Sequence, residues 1–550
     1  MPKRPLRRYT RFLGWIKNDN KGRVMALTTT VKLYDTTLRD GAQTEGISFS
    51  ATDKVRIAKK LDELGVHYIE AGWPGANPKD IEVFRKLKRA RIKSAKIVAF
   101  GSTKRPKIKA KNDPNLKALI RAETKVITIF GKSWDLHVKD ILKVSADENL
   151  DMIRNSIFFL KSKVKEVFFD AEHFFDGYKA NQEYAIETLK AAQAGGADCL
   201  VLCDTNGGTI TSDLFRIIED VKSKIKEPLG IHVHNDCGMG VSNSIAAVQA
   251  GVSHVQGTIN GYGERCGNAN LVSIIPILKL KLGINCISSL QLKELTEVSR
   301  FISETSNMKQ APNQPFVGMS AFAHKAGVHV NAILKNPKSY EHMEPVMVGN
   351  RRRLLISELS GKSTILLKAK ELDIKLEKGS PKAKRILKLL QSLEHEGYQF
   401  ESAEASFEVL IKRATKKFKS FFKLEGFRVI IENDNEGNLI SEATIKLKVD
   451  GKKEHTAALG DGPVNALDNA LRKALVDFYP SLDTMHLADY KVRVLDEKAG
   501  TAAKVRVLIQ SQDEKDSWWT IGVSGNIIEA SWLALVDSIE YKLLKTSSEK

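Results

Sequence analysis

Short runs of apolar and β-branched residues recur along the first half of the chain and alternate with segments of helical periodicity. Eight such runs lie near residues 31–35, 66–71, 96–100, 125–130, 164–169, 199–203, 229–233 and 254–259. Apolar runs of this length, separated by amphipathic helical segments, are typical of strands that pair in parallel. Eight successive strand and helix units predict a closed (β/α)8 TIM barrel, whose active site lies at the carboxyl ends of the strands.

The segment after the first run shows how the sequence delimits a helix. In SATDKVRIAKKLDELG, Ser50 and Asp53 have the spacing of a capping box, and Gly65 follows the last periodic position. Ser and Asp at this spacing satisfy the free backbone N–H groups at a helix start, and Gly tolerates the left-handed conformation that ends one. We therefore predict a helix between Ser50 and Gly65.

The rest of the chain has a different organisation. Residues 286–400 show helices and loops without the barrel period, and two copies of a strand, strand, strand, helix pattern follow. Ala466 and Leu471 of the first copy correspond to Ala530 and Leu535 of the second at an offset of 64 residues. One such unit cannot close a core alone, so we expect the two copies to pack together. The predicted regions are a basic N-terminal extension (1–30), the catalytic barrel (31–285), a helical connector (286–400) and a C-terminal α+β regulatory and dimerising domain (401–550).

Polar residues follow several of the predicted strands. His232 and His234 are two apart in the seventh run, so their side chains point to the same face, and Asp40 follows the first run. Two imidazoles and one carboxylate are a ligand set for a divalent metal. Because nitrogen and oxygen ligands accept manganese, zinc, cobalt or magnesium, the sequence leaves the metal open. Glu172 follows the fifth run and Thr205 the sixth, which directs both to the same end of the barrel.

Composition limits the remaining classes. The chain has 550 residues, of which 42% are hydrophobic and 28% are charged, so it can bury a large core. No apolar run has membrane-spanning length, and five cysteines without a CxxC pair indicate reduced thiols in the cytoplasm. The net charge of +20 raises the question of nucleic acid, but Lys and Arg are spread along the chain, so we expect no nucleic-acid partner. The basic first 25 residues resemble a transit peptide in composition, and an extended start upstream of Met25 is the alternative.

Two long motifs carry a family resemblance. LRDGAQ (38–43), followed by Lys54, and LGIHVHNDCGMGVS (229–242) resemble the 2-isopropylmalate synthase and homocitrate synthase family, and the resemblance extends from about residue 31 to the C-terminus. EAGWPGANPKD (70–80), AFGSTKR (99–105) and EGYQFESAEASFEVL (396–410) are similar to the branch that uses pyruvate. The resemblance implies an acyltransferase that condenses acetyl-CoA with pyruvate and hydrolyses the thioester, in isoleucine biosynthesis.

The resemblance also implies roles for individual residues. The divalent metal is expected on Asp40, His232 and His234, with Asn268 as a fourth ligand or a neighbour of the ligands. Arg39 is expected at the reacting carbonyl, paired with Glu172, and substrate binding falls to Arg39, Thr205, Gln43 and Glu70. The candidates for the base and for thioester hydrolysis are Glu172, His329 and Tyr340, with the two roles undivided among them.

The resemblance further implies a homodimer and an isoleucine effector at the C-terminal domain. Three alternatives stay open. A 2-isopropylmalate or homocitrate synthase would use a larger 2-oxo acid, and pocket size separates it from a pyruvate enzyme. A metal-dependent carbon–carbon lyase could use the same barrel and ligand set. A non-catalytic amino-acid sensor or nucleic-acid-binding protein could retain the barrel as a scaffold.

Overall fold

The structure is a computed structural model that describes most of the chain. The described residues are 30–355, 380–414, 418, 420–433, 437–495, 500, 502–514 and 516–548. Except for Thr30, the predicted N-terminal extension lies outside them. The described residues form two units, one running to Phe322 together with Met343–Arg352, the other comprising Ala323–His342 and the residues from Arg353 onward. The segment predicted as a connector, residues 286–400, is divided between these two units.

The first unit contains a closed barrel of eight parallel strands, which confirms the predicted fold. The strands are β1 (Lys32–Asp35), β2 (Tyr68–Gly72), β3 (Lys96–Ser102), β4 (Val126–Lys132), β5 (Glu166–Glu172), β6 (Cys199–Asp204), β7 (Leu229–Val233) and β8 (His254–Gly257). β1 pairs with both β2 and β8, so the sheet has no free edge. Each predicted run overlaps one strand, because strands covered on both faces need continuous apolar residues.

Helices follow the strands around the barrel. They are α1 (Ala51–Leu64), α2 (Pro78–Arg89), α3 (Pro114–Arg121), α4 (Ala146–Lys161), α5 (Phe174–Ala180), α6 (Gln182–Gly195), α7 (Thr211–Lys224), α8 (Gly240–Gln249), α9 (Leu271–Pro276), α10 (Ser289–Leu292) and α11 (Leu295–Thr305). α1 begins with the predicted capping box of Ser50 and Asp53 and ends at Gly65, whose φ is +89°. Local sequence therefore defined both ends of this helix.

Side chains from six of the eight strands, β1 to β6, form an apolar cluster in the barrel interior. Tyr34, Tyr68 and Phe168 are buried there, and the rings of Tyr68 and Phe168 meet edge to face with centroids 5.1 Å apart. This packed layer closes the barrel beneath the carboxyl ends of the strands. The polar side chains at those ends therefore have a rigid floor.

The second unit contains the predicted double repeat. Its elements are β9 (Ala323–His324), α12 (Gly327–Lys335), β10 (Arg353–Leu354), α13 (Pro381–Glu396), α14 (Glu404–Ala414), β11 (Lys423–Asn433), β12 (Leu439–Val449), β13 (Lys452–Gly460), α15 (Pro463–Leu475), β14 (His486–Val494), β15 (Val505–Gln512), β16 (Ser517–Ser524) and α16 (Ile527–Ser548). β11–β13 and β14–β16 form two antiparallel sheets. Ala466, Leu471, Ala530 and Leu535, the four corresponding positions, are all buried in one apolar cluster.

The sheet and its helix pack closely at Gly522 on β16 in the second repeat. A Cβ at Gly522 would lie 2.0 Å from the carbonyl oxygen of Ala530 on α16. Because backbone atoms cannot move aside cheaply, we expect Gly522→Ala to lower the free energy of unfolding by about 1–3 kcal/mol, measured by urea denaturation. Gly525→Ala is the matched control, since a Cβ there meets nothing within 4 Å. Equal stability of the two variants would contradict this packing.

Candidate active site

A cavity of about 230 Å³ opens at the carboxyl ends of the barrel strands. Its lining combines charged, imidazole and aromatic side chains: Arg39, Asp40, Gln43, Trp73, Phe100, Phe130, Asp170, Glu172, Cys203, Thr205, His232, His234, Glu264 and Arg265. A second cavity of about 330 Å³ shares Arg39, Gln43 and Trp73 with it. Two larger clefts, lined by residues between 74 and 162, contain none of the candidate metal ligands. The barrel mouth is therefore the candidate active site.

The three candidate metal ligands converge in this cavity. Nε2 of His232 lies 3.4 Å from Nε2 of His234 and 3.3 Å from Oδ2 of Asp40. Nδ2 of Asn268 lies 3.0 Å from the same Asp40 oxygen and 3.3 Å from Nε2 of His232. Asp40, His232 and His234 are the one group of three such side chains, within the described part of the chain, whose ligand atoms all lie within 4.8 Å of one another.

The electrostatics of this group suit a cation. Burial acts to raise the pKa of Asp40, but the adjacent Arg39 guanidinium, together with His232 and His234, outweighs burial and holds that pKa well below its usual range. Burial, aided by His232, lowers the pKa of His234 to about 4. Burial also acts to lower the pKa of His232, but its hydrogen bond to Asp40, together with the negative charges of Asp40 and Asp170, outweighs burial and raises that pKa. Asp40 is thus a carboxylate and His234 a neutral imidazole at neutral pH, the forms that bind metals.

Two buried polar atoms support the same interpretation. Neither Nδ1 of His234 nor Oδ1 of Asn268 has a hydrogen-bond partner among the described residues. Buried polar atoms normally have hydrogen-bond partners, so unpartnered ones beside these three side chains are consistent with a site that binds a ligand such as a metal ion. The donor set of two imidazoles, a carboxylate and an amide fits a divalent cation.

Arg39 is held in one orientation beside this group. Its guanidinium lies 3.9 Å from the ring centroid of Phe100, and its Nε donates to Oε1 of Glu70 at 2.6 Å. Glu70 is fully buried, and its other oxygen accepts from the Tyr34 hydroxyl at 2.5 Å. Nη2 of Arg39 lies 3.4 Å from Oδ2 of Asp40. The Arg39 guanidinium is therefore held in a fixed orientation at the edge of the metal-ligand group.

The expected pair between Arg39 and Glu172 is not present. Glu172 instead forms an ion pair with Lys132, which lies opposite it in the register of β4 and β5. Arg39 follows β1 and reaches Glu70 on the neighbouring β2. The reason is strand adjacency, because each carboxylate pairs with a positively charged side chain on, or directly after, a neighbouring strand. Glu172 still lines the cavity.

The other predicted site residues fall into two places. Thr205 lines the cavity, and its Oγ1 accepts from the backbone N–H of His173 at 2.9 Å. Gln43 is exposed and lines both cavities at the mouth. His329 and Tyr340 belong to the second unit, where their rings stack with centroids 4.2 Å apart and both side chains are exposed.

Sequence reasoning did not select several residues of the cavity. Arg265 makes a two-pronged ion pair with Asp236, both contacts 2.8 Å, and its Nη2 also donates to the Thr205 carbonyl at 2.7 Å. Arg265 and Asp236 lie in motifs that follow predicted strands, so their positions in the sequence could have indicated that they lie near the active site. Asp170 was also available, because it lies two residues before Glu172 and therefore on the same face of β5.

Comparison with known proteins places this site in a class. The HMGL-like family model matches residues 30–302, the homocitrate synthase post-HMGL domain-like model residues 316–397, and the LeuA allosteric (dimerisation) domain model residues 401–543. Together with the barrel and the Asp40, His232 and His234 group, these matches define an HMGL-like condensing enzyme. Enzymes of this class use a divalent metal and acetyl-CoA.

Full-length relatives narrow the class. The chain is 58% identical to the (R)-citramalate synthase of Geobacter sulfurreducens, over 94% of this chain and 98% of that protein. It is 56% identical to the (R)-citramalate synthase of Aquifex aeolicus, over 94% and 99%. Identity to the 2-isopropylmalate synthase of Methanocaldococcus jannaschii is 32%, over 94% and 95%. The chain belongs to the (R)-citramalate synthase family, acyltransferases that condense acetyl-CoA with a 2-oxo acid.

Proposed function

We propose that this enzyme condenses acetyl-CoA with pyruvate and hydrolyses the thioester to give (R)-citramalate and coenzyme A, a step of isoleucine biosynthesis. The observation that carries the proposal is the convergence of Asp40, His232 and His234 beside a fixed Arg39 in an aromatic-walled cavity. A 2-isopropylmalate or homocitrate synthase, which uses a larger 2-oxo acid, is the second candidate.

In this proposal Asp40, His232 and His234 hold a divalent cation. The NH2 group of Asn268 faces Asp40 and His232, so Asn268 is a fourth ligand with its amide turned to present Oδ1, and otherwise a neighbour of the ligands. When bound, the cation supplies Lewis-acid polarisation of the 2-oxo acid. Manganese, zinc, cobalt and magnesium are all compatible with these nitrogen and oxygen ligands.

Arg39 and Thr205 act on the 2-oxo acid directly. Arg39 uses Nε for Glu70, so its remaining N–H groups are available to donate to the carbonyl oxygen as negative charge develops there. The Thr205 oxygen already accepts from the His173 backbone, which leaves its O–H to donate to the substrate carboxylate. Gln43 and Glu70 are the other proposed substrate-binding residues. Gln43 lies at the mouth of the cavity, and Glu70 acts by accepting a hydrogen bond from Arg39.

Two proton-transfer tasks remain: removal of a proton from the acetyl methyl group and activation of water for thioester hydrolysis. We assign them jointly to Glu172, His329 and Tyr340. Glu172 lines the cavity and forms an ion pair with Lys132. His329 and Tyr340 stack on each other and are exposed, so both can contact a substrate.

The aromatic wall supports pyruvate as the 2-oxo acid. The Phe100 and Phe130 rings stack with centroids 5.6 Å apart, and Trp73 meets the Phe130 ring edge to face at 5.6 Å. Three rings packed on each other cannot move aside independently, so the wall resists a bulky substrate side chain. The methyl group of pyruvate is the smallest that a 2-oxo acid of this series carries.

The function is tested by thiol release from acetyl-CoA with metal-loaded enzyme and pyruvate, 2-oxobutyrate, 2-oxoisovalerate or 2-oxoglutarate. We expect the highest kcat/KM with pyruvate, loss of activity after chelation, and citramalate as the product. A preference for 2-oxoisovalerate or 2-oxoglutarate would identify the second candidate. Thiol release with none of the four would contradict both candidates.

Widening the wall should change substrate choice. We expect Phe130→Ala to raise kcat/KM for 2-oxoisovalerate relative to pyruvate by about 10- to 100-fold, because a hydrophobic pocket discriminates methyl-sized differences by about that factor. The ratio of the two kcat/KM values is the measurement. Phe158→Ala is the control, since Phe158 is 70% exposed on α4. An unchanged ratio in Phe130→Ala would show that the wall does not select the substrate.

Assembly, regulation and location complete the proposal. The match of residues 401–543 to the LeuA allosteric (dimerisation) domain supports a homodimer, and we propose isoleucine as the feedback effector of this domain. No helix in the described part of the chain has the length and hydropathy needed to cross a membrane. The five cysteines are all free thiols, which supports a cytoplasmic location.

A further inference from the structure

His232 makes a second contact behind the metal-ligand group. Its Nδ1 lies 2.9 Å from Oε1 of Gln256, and Nε2 of Gln256 donates to Oδ1 of Asp170 at 3.0 Å. All three side chains are buried, with Gln256 fully so. Asp170, Gln256 and His232 thus form a hydrogen-bonded chain, which we call the β5–β8–β7 relay after the strands that carry it.

The direction of each hydrogen bond in the relay follows from its carboxylate end. A carboxylate oxygen only accepts, so Gln256 must turn its NH2 group toward Asp170 and its oxygen toward His232. The amide oxygen also only accepts, so the proton of neutral His232 must be on Nδ1. Nε2, which lies 3.3 Å from Oδ2 of Asp40, is then the nitrogen left to bind a cation while Nδ1 keeps its proton.

We propose that Gln256, oriented by Asp170, is a positioning residue that sets the tautomer and ring orientation of His232 for cation binding. This inference rests on the metal site of the proposed function. His234 offers no equivalent, because its Nδ1 has no hydrogen-bond partner among the described residues. The relay therefore orients His232 but not His234. We expect loss of the relay to weaken cation binding through its effect on His232.

Asp170 contributes a buried acceptor at the required place. It lies on β5 opposite Val201 of β6, inside the barrel wall, and is 4% exposed. Burial raises its pKa to about 7, so measurements at pH 8 examine the relay with Asp170 as a carboxylate. Gln256 is on β8 and His232 on β7, so three different strands must be in register for the relay to form.

The first experiment measures cation affinity rather than catalysis. Zinc or manganese is titrated into the full-length protein at pH 8 in competition with a chromophoric chelator. We expect Gln256→Met, which keeps size but removes both polar atoms, to weaken binding by about 10- to 100-fold, the usual effect of losing such a partner. Gln314→Met applies the same change to another buried glutamine, one that donates to Asn260 instead, and should leave the affinity unchanged.

A paired exchange tests the direction of the relay. In the double variant Asp170→Asn with Gln256→Glu, the asparagine NH2 can donate to the glutamate, which can still accept from Nδ1 of His232. Size and net charge are conserved, so we expect recovery of most of the affinity lost in Gln256→Met. A purely structural role of Gln256 would give no such recovery.

The tautomer itself is read by NMR of zinc-loaded protein labelled with ¹⁵N-histidine. We expect the His232 resonances of the Nδ1–H form in the wild type and their shift in Gln256→Met. Equal cation affinity and unchanged resonances in Gln256→Met would overturn the role of Gln256 while leaving the metal site in place. A wild-type protein that binds no cation would overturn the metal site and this role together.

Discussion

Replacing Asp40 by alanine is expected to reduce thiol release from acetyl-CoA by at least about 10³-fold, because Lewis-acid stabilisation contributes several kcal/mol and each 1.36 kcal/mol is a factor of ten in rate. The variant removes the one carboxylate of the ligand group and leaves His232 and His234 alone. It also removes the negative charge that lies 3.4 Å from Arg39. Steady-state kinetics at saturating cation and the metal content after dialysis are the two measurements.

Asp151→Ala is the control for this experiment. Asp151 lies on α4, is exposed and pairs with Arg154 of the same helix, so its loss should change neither kinetics nor metal content. Wild-type metal content in Asp40→Ala would show that the cation binds elsewhere. Loss of metal with retained activity would show that the reaction does not need it.

Arg39→Lys is expected to lower kcat by about 10²- to 10³-fold with a smaller change in KM for the 2-oxo acid. The positive charge remains, but a lysine ammonium cannot lie flat on Phe100 while donating to Glu70 and to a substrate oxygen. Losing one preoriented donor to a developing oxyanion has an effect of this size. Steady-state kinetics with pyruvate and acetyl-CoA gives both parameters.

Arg56→Lys is a close match for that variant. Arg56 also lies over a phenylalanine ring, that of Phe301, at 5.3 Å, and contacts the carboxylate of Asp53 at 3.8 Å, but it is on the outside of α1. We expect wild-type kinetics from Arg56→Lys. If Arg39→Lys raised KM and left kcat unchanged, Arg39 would bind the ground state and transition state equally.

Regular elements were predictable because their signals are local. The capping box of Ser50 and the terminal Gly65 specify α1 through contacts within one turn of the chain. The eight apolar runs correspond to the eight barrel strands, and the offset that relates Ala466 to Ala530 reflects a repeat of whole structural units. Periodicity records which side of each element is buried, and this is the main determinant of fold class.

The candidate metal ligands were predictable for a similar reason. His232 and His234 are two apart on one strand, and Asp40 follows another strand at the same end of the barrel. In a parallel barrel all carboxyl ends meet on one face, so topology brings together residues that are far apart in the chain. Their convergence in one cavity required no knowledge of side-chain packing.

The sequence by itself determined the barrel, the double repeat and the candidate metal ligands, because each depends on local pattern or on strand order. Only the tertiary structure decided which charges pair: Arg39 with Glu70, and Glu172 with Lys132. It alone also connected Gln256 to His232. The physical reason is that such contacts depend on strand register and side-chain direction across neighbouring strands, and a shift of one residue would reverse the face on which each side chain lies.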